Sequence, residues 1–93
     1  MKKYSVLIEG GNFLINIEGS ALKCGFFTTR FVVAETNSAE KKKAIELVKL
    51  ELKDTVLNDV SDVPIMYVEK VIEVESFAGF SVPGSGFTWF QED

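Results

Sequence analysis

The sequence predicts an α+β fold in which one helix packs on one face of an antiparallel sheet of four or five strands. Three observations carry this. Only residues 37–57 show a sustained helical period with a start signal. The chain before them alternates apolar and polar residues with a period of two, as half-buried strands do. The chain after them places β-branched and aromatic residues between Gly and Pro breaks. The predicted order is β-β-β-α-β, with or without a short closing strand. No internal repeat divides the 93 residues, so one domain is expected.

In chain order, Tyr4, Val6 and Ile8 alternate with Ser5, Leu7 and Glu9, giving a first strand. Gly10-Gly11-Asn12 suits the positive φ angles of a tight turn. Phe13, Ile15 and Ile17 then alternate through a second strand, so a hairpin is expected over residues 4–18. Residues 19–25 read as a connection and 26–35 as a third strand. It carries Phe27, Thr29, Phe31 and Val33 on one face and Phe26, Thr28, Arg30 and Val32 on the other. Apolar groups on both faces suit a central strand.

The helix opens with Asn37 as N-cap and Glu40 three residues on, the spacing of a capping box. Ala44, Ile45, Val48 and Leu52 form its apolar stripe, and Lys42, Glu46, Lys49 and Lys53 its wet side. Leu47 and Leu50 form a second, smaller ridge. Either a strand or the C-terminal tail covers that ridge, or a second subunit does. Turn residues end the helix by Asn58-Asp59.

Beyond the loop that ends at Pro64, residues 65–77 read as a long strand. Met66, Val68, Ile72 and Val74 share one face, interrupted by Lys70, and Glu69, Glu73 and Glu75 the other. Pro83-Gly84-Ser85-Gly86 makes a turn, and 87–90 is the candidate closing strand.

Composition narrows function mainly by exclusion. Net charge is −4 and Arg30 is the only arginine, whereas nucleic-acid binding needs clustered cations. The Lys41-Lys42-Lys43 run reads as a solvated helix face. With one cysteine and no histidine, neither a disulfide framework nor the usual zinc sites can be assembled, and no metal site is expected. Imidazole-based catalysis is excluded on the same ground. The glycines of residues 79–86 lack the Lys-Ser/Thr of a phosphate loop, since Phe87 and Thr88 follow. No cofactor is expected. The apolar run after Met1-Lys2-Lys3 is too short for a signal peptide and none reaches membrane-span length, so a cytoplasmic protein is expected.

Two sets of residues are candidates for function. Thr28, Arg30, Phe80 and Trp89 could frame a pocket for an anion between the third strand and the aromatic tail. Alternatively, Arg30 pairs across the sheet with Glu69, Glu73 or Glu75. Leu47, Leu50, Phe87 and Phe90 are the candidate interface residues, with the alternative that the aromatics close one end of the core.

Residues 25–35 (Gly-Phe-Phe-Thr-Thr-Arg-Phe-Val-Val-Ala-Glu), the helix after them and Gly86-Phe87-Thr88-Trp89-Phe90 resemble an uncharacterised family of small bacterial α+β proteins. That resemblance implies a compact domain and no known activity. The leading expectation is a non-catalytic binding or protein-interaction module that forms a homodimer. The alternative is a small anionic-ligand binder or minor enzyme built around Arg30. A third is an acidic regulatory subunit that masks a basic partner protein.

Overall fold

The chain before the helix forms one long hairpin rather than three strands. The computed structural model describes residues 2–35 and 39–92. They build β1 (Lys2–Ile17), β2 (Ser20–Ala34), α1 (Ala39–Leu52), β3 (Ile65–Val74) and β4 (Thr88–Gln91). Every neighbouring pair is antiparallel, and the sheet order is β3-β1-β2-β4. The α+β architecture with one helix on a four-stranded sheet is therefore as the sequence predicts. The element order is β-β-α-β-β.

The expected turn at Gly10-Gly11-Asn12 is a β-bulge. Gly10 pairs with Phe26 and Phe13 with Cys24, so Gly11 and Asn12 together face only Gly25. Asn12 takes the positive φ of 61° that the bulge requires. Its geometry is held from outside the hairpin: the Asn12 N–H donates to the Glu92 carboxylate at 2.7 Å, and its carbonyl accepts from the Asn58 amide at 2.8 Å. The reversal comes instead at Glu18-Gly19, between paired Ile17 and Ser20. Both turn residues have positive φ, 50° and 88°, the signature of a two-residue type I′ turn. Residues 20–25, expected as a connection, are thus the first part of β2.

The bulge also re-phases β1. Tyr4, Val6 and Ile8 are buried before it, and Phe13 and Ile15 after it, so both halves turn the same face to the helix. Cys24, Phe26, Thr28, Arg30, Val32 and Ala34 of β2 complete that buried face. On it α1 lays Glu40, Ala44, Val48 and Leu52, a stripe at intervals of four residues. The helix stops at Leu52, well short of the expected residue 57, in a turn whose Thr55 N–H donates to the Leu52 carbonyl at 2.9 Å. The expected N-cap Asn37 lies outside the described residues.

The β3 strand corrects the sequence reading of its faces. Its register slips between Lys70, opposite Leu7, and Val68, opposite Ile8, leaving Glu69 as the extra residue. Met66, Val68 and Val71 consequently pack toward the core. Ile72 and Val74 share the other face with Ile65, Tyr67 and Lys70, opposite to the side on which Met66 and Val68 lie. The strand also ends at Val74 rather than at residue 77. Interior placement of β2, between β1 and β4, agrees with the reading of its two apolar faces.

Candidate functional site

Thr28 and Arg30 project from β2 toward the helix, and they hold the segment that leads into β4. The Thr28 hydroxyl donates to the Gly86 carbonyl at 2.8 Å. Arg30 reaches the same carbonyl at 3.5 Å, pairs with Glu51 of α1 at 2.8 Å and lies 5.2 Å from the Phe87 ring centre. Glu51 closes the ring by accepting from the Gly86 N–H at 3.0 Å. This corrects the expected pairing of Arg30 with Glu69, Glu73 or Glu75: its carboxylate partner is on the helix.

Arg30 is only 1 % exposed. Burial draws its pKa below the ordinary arginine value, and the Glu51 charge pushes it back up. Its donors are directed at protein acceptors, which makes it a clasp between helix, sheet and tail. Phe87 and Trp89 fill the space beside this clasp. Each meets Phe26 edge-on, at 4.9 and 5.3 Å between ring centres. Cys24 is buried in the same layer; desolvation and the nearby Glu92 raise its thiol pKa, which disfavours the reactive thiolate.

The residues singled out in the sequence therefore divide between three places. Thr28, Arg30, Phe87 and Trp89 share the helix side. Phe80 and Phe90 lie with the opposite side: Phe80 stacks on Phe31 at 4.6 Å, and Phe90 sits 5.7 Å from Phe27. Leu47 and Leu50 line a groove between α1 and β2.

The opposite side of the sheet is the more distinctive surface. Register places Ile65, Tyr67, Lys70, Ile72 and Val74 of β3 on it, next to Leu7 and Glu9 of β1 and Phe27, Thr29 and Phe31 of β2. No described helix lies on it, since α1 covers the other face. Tyr67 is 50 % exposed, Ile65 48 % and Ile72 46 %. Phe27 and Phe90 extend the apolar surface across to β4. The loop after β3 brings Phe77 and Phe80 against Phe31 and so walls one end. Between this wall and the sheet lies a cup of about 520 Å³, floored by Leu7, Phe27 and Phe31 and rimmed by Ser81, Ser85 and Thr88.

Tyr67, Ile72 and Leu7 escape sequence reasoning because their placement depends on the Glu69 bulge and on the sheet order. The usable signal was the apolar content of β3 at both parities, Ile65 and Tyr67 as well as Met66 and Val68. Among the described residues, no three acidic or thiol side chains converge as metal ligands, and no helix is long and apolar enough to cross a membrane. Comparison with protein-family models, curated proteins and solved structures returns no match.

Proposed function

We propose that the protein is a non-catalytic interaction module that self-associates through the outer face of its sheet. The observation that carries this reading is the run of half-exposed apolar side chains, Ile65, Tyr67, Ile72, Phe27 and Phe90, on a sheet face that no described helix covers and that the loop after β3 covers only at the Phe31 end. An antiparallel sheet with one wet face normally alternates apolar-in with polar-out, and this one does not.

A second copy is the occupant that fits. Ten residues of β3 at about 3.3 Å each, and four strands about 4.8 Å apart, span roughly 500–600 Å². Two such faces bury on the order of 1,100 Å², above the roughly 1,000 Å² expected of a specific interface. The face is also self-complementary in charge. Glu9 sits two residues along β1 from Leu7, the partner of Lys70 on the adjacent strand, so the two charges are neighbours on this face. A two-fold axis passing between them sets each over its opposite in the other copy.

Native mass spectrometry and light scattering test this. The wild-type chain is expected as a dimer at micromolar concentration, and Ile72→Glu as a folded monomer with unchanged circular dichroism. Leu50→Asp, away from this face, should leave the dimer intact. A wild-type monomer, or a dimer that survives Ile72→Glu combined with Phe90→Glu, overturns the reading.

The alternative of an anion site at Arg30 draws no comparable support, because Glu51 and the Gly86 carbonyl already take up its guanidinium.

A further inference from the structure

A second surface, away from the outer face, combines three features that act together. The first is an open backbone edge. Strand β4 pairs with residues 24–27 of β2, and the Phe31 N–H donates to the Pro83 carbonyl at 2.8 Å. Beyond that point no described residue pairs its backbone with the edge. Odd-numbered residues of β2 point their backbone groups away from β1, as Phe31 does, so the Val33 N–H faces outward. Among the described residues it has no partner, and the Val33 carbonyl is reached only by the Lys43 ammonium at 2.6 Å.

The second feature is an apolar groove of about 650 Å³ beside that edge, between Phe31, Val32 and Val33 of β2 and Ala39, Leu47 and Leu50 of α1. Leu50 is 71 % exposed, well beyond what a helix surface needs for folding. The third is charge. Lys42 and Lys43 stand over the Val33 end, with Lys41 exposed beside them, in a protein whose net charge is −4. Glu46 lines the same groove nearer Leu50.

We propose that this groove accepts an extended, acidic peptide segment of another protein by strand addition to β2. Backbone pairing at the Phe31 carbonyl and at Val33 would supply the affinity common to any extended chain, and the groove would take alternate apolar side chains. From Ala39 to Leu50 the helix runs about 16 Å, the length of roughly five extended residues. Acidic residues fit at the Lys42–Lys43 end and are repelled by Glu46 at the other. Lys43 closes the edge when the groove is empty, and swings onto an incoming carboxylate when it is filled. A lysine on an open edge also blocks wrong pairings. A second copy fits poorly here, since two-fold pairing of β2 edges would face Lys42 and Lys43 with their own equivalents.

The test uses a labelled, capped peptide with two aspartates followed by alternating leucine and threonine, read by fluorescence anisotropy against the full chain. Saturable binding is expected, weakening several-fold between about 0.05 and about 0.3 M salt. Leu50→Asp and the pair Lys42→Glu with Lys43→Glu should each weaken it by roughly tenfold or more. Ile72→Glu, on the outer face, should leave it unchanged, which separates this site from self-association. Backbone N-methylation of the peptide at the positions facing β2 should abolish binding, and at the intervening positions should not. The proposal is overturned by any of four results: no saturation up to about 1 mM peptide, equal binding when lysines replace the aspartates, indifference to Leu50→Asp, or a groove variant that changes only the mass of the oligomer.

Discussion

A Cβ placed on Gly25 would overlap the Phe90 ring and stand 2.8 Å from the Gly10 carbonyl oxygen. A side chain could swing away, but the backbone of β1 cannot do so without breaking its pairing on both sides. Gly25→Ala should therefore cost about 1–3 kcal/mol by overpacking, read as a lower urea midpoint with an unchanged slope. An unaltered midpoint would mean that the Gly10 carbonyl gives way along with the Phe90 ring. Across the bulge the relation inverts. The Phe26 ring occupies the space over Gly10 that a side chain would fill, and Phe13, Phe87 and Trp89 lock it there. Arg30 is the other residue with disproportionate influence. Arg30→Met keeps much of the volume but strips Glu51 of its guanidinium partner, leaving it the Gly86 N–H, and leaves the Gly86 carbonyl to the Thr28 hydroxyl alone. A loss of about 1–3 kcal/mol is expected, toward the lower end because Glu51 is part exposed and can rehydrate. Self-association should persist, so denaturant titration and native mass together separate the clasp from the interface. The sequence marked Arg30 as unusual and left its partner open, because a carboxylate on the helix and one across the sheet look alike in one dimension.

At the scale of elements, the loop between α1 and β3 does more than connect. The Asn58 side chain accepts from the Leu14 N–H and donates to the carbonyls of Asn12 and Asp62, while Leu57 pairs with the Leu14 carbonyl. The loop thus takes the place along β1 that β3 is too short to reach. Asp62 accepts from both Lys23 and the Asn12 amide, and these hydrogen bonds hold its pKa below the ordinary carboxylate value. A depressed pKa means that the ionised form is favoured by folding. The contribution is complete above the unfolded value of about 3.9 and fades as pH falls through the lower folded value. Asp62→Asn should accordingly be less stable than wild type near neutral pH, with the gap closing as pH drops below about 4. A gap that is constant with pH would assign the loss to packing instead.

The same elements show where the sequence was readable. The helix stripe was legible because Ala44, Val48 and Leu52 need no tertiary information to be placed on one side. Gly10-Gly11-Asn12 misled, since residues that tolerate positive φ serve turns and bulges equally well. Glu18-Gly19 was passed over for the opposite reason: glutamate is a poor advertisement for a type I′ turn.

For the molecule as a whole, the α+β class followed from period and composition, whereas strand order did not. Nothing in the local pattern of residues 65–74 tells them to cross over and pair with β1. Nor does it reveal that Glu69 will bulge and turn Tyr67 and Ile72 to the outer face. The candidate surfaces were legible in proportion. Leu47, Leu50 and Phe90 stood out as apolar residues without an obvious place in the core, but the face that gathers Tyr67, Ile72 and Leu7 exists only once the sheet is assembled.

The position of β1 between β2 and β3 carries a consequence for how the chain reaches this state. Lys3 pairs with Val33 on one side, through a hairpin closed by a two-residue turn, and with Val74 on the other, through a far longer closure. The short loop forms at lower entropic cost, so the hairpin precedes the docking of β3. Until β3 arrives, the second edge of β1 is an open template of unpaired backbone. On a ribosome, that interval lasts at least until residue 74 has been synthesised and has emerged. During it the nascent chain presents a long bare strand edge to any extended neighbour, and its yield depends on how quickly the crossover closes.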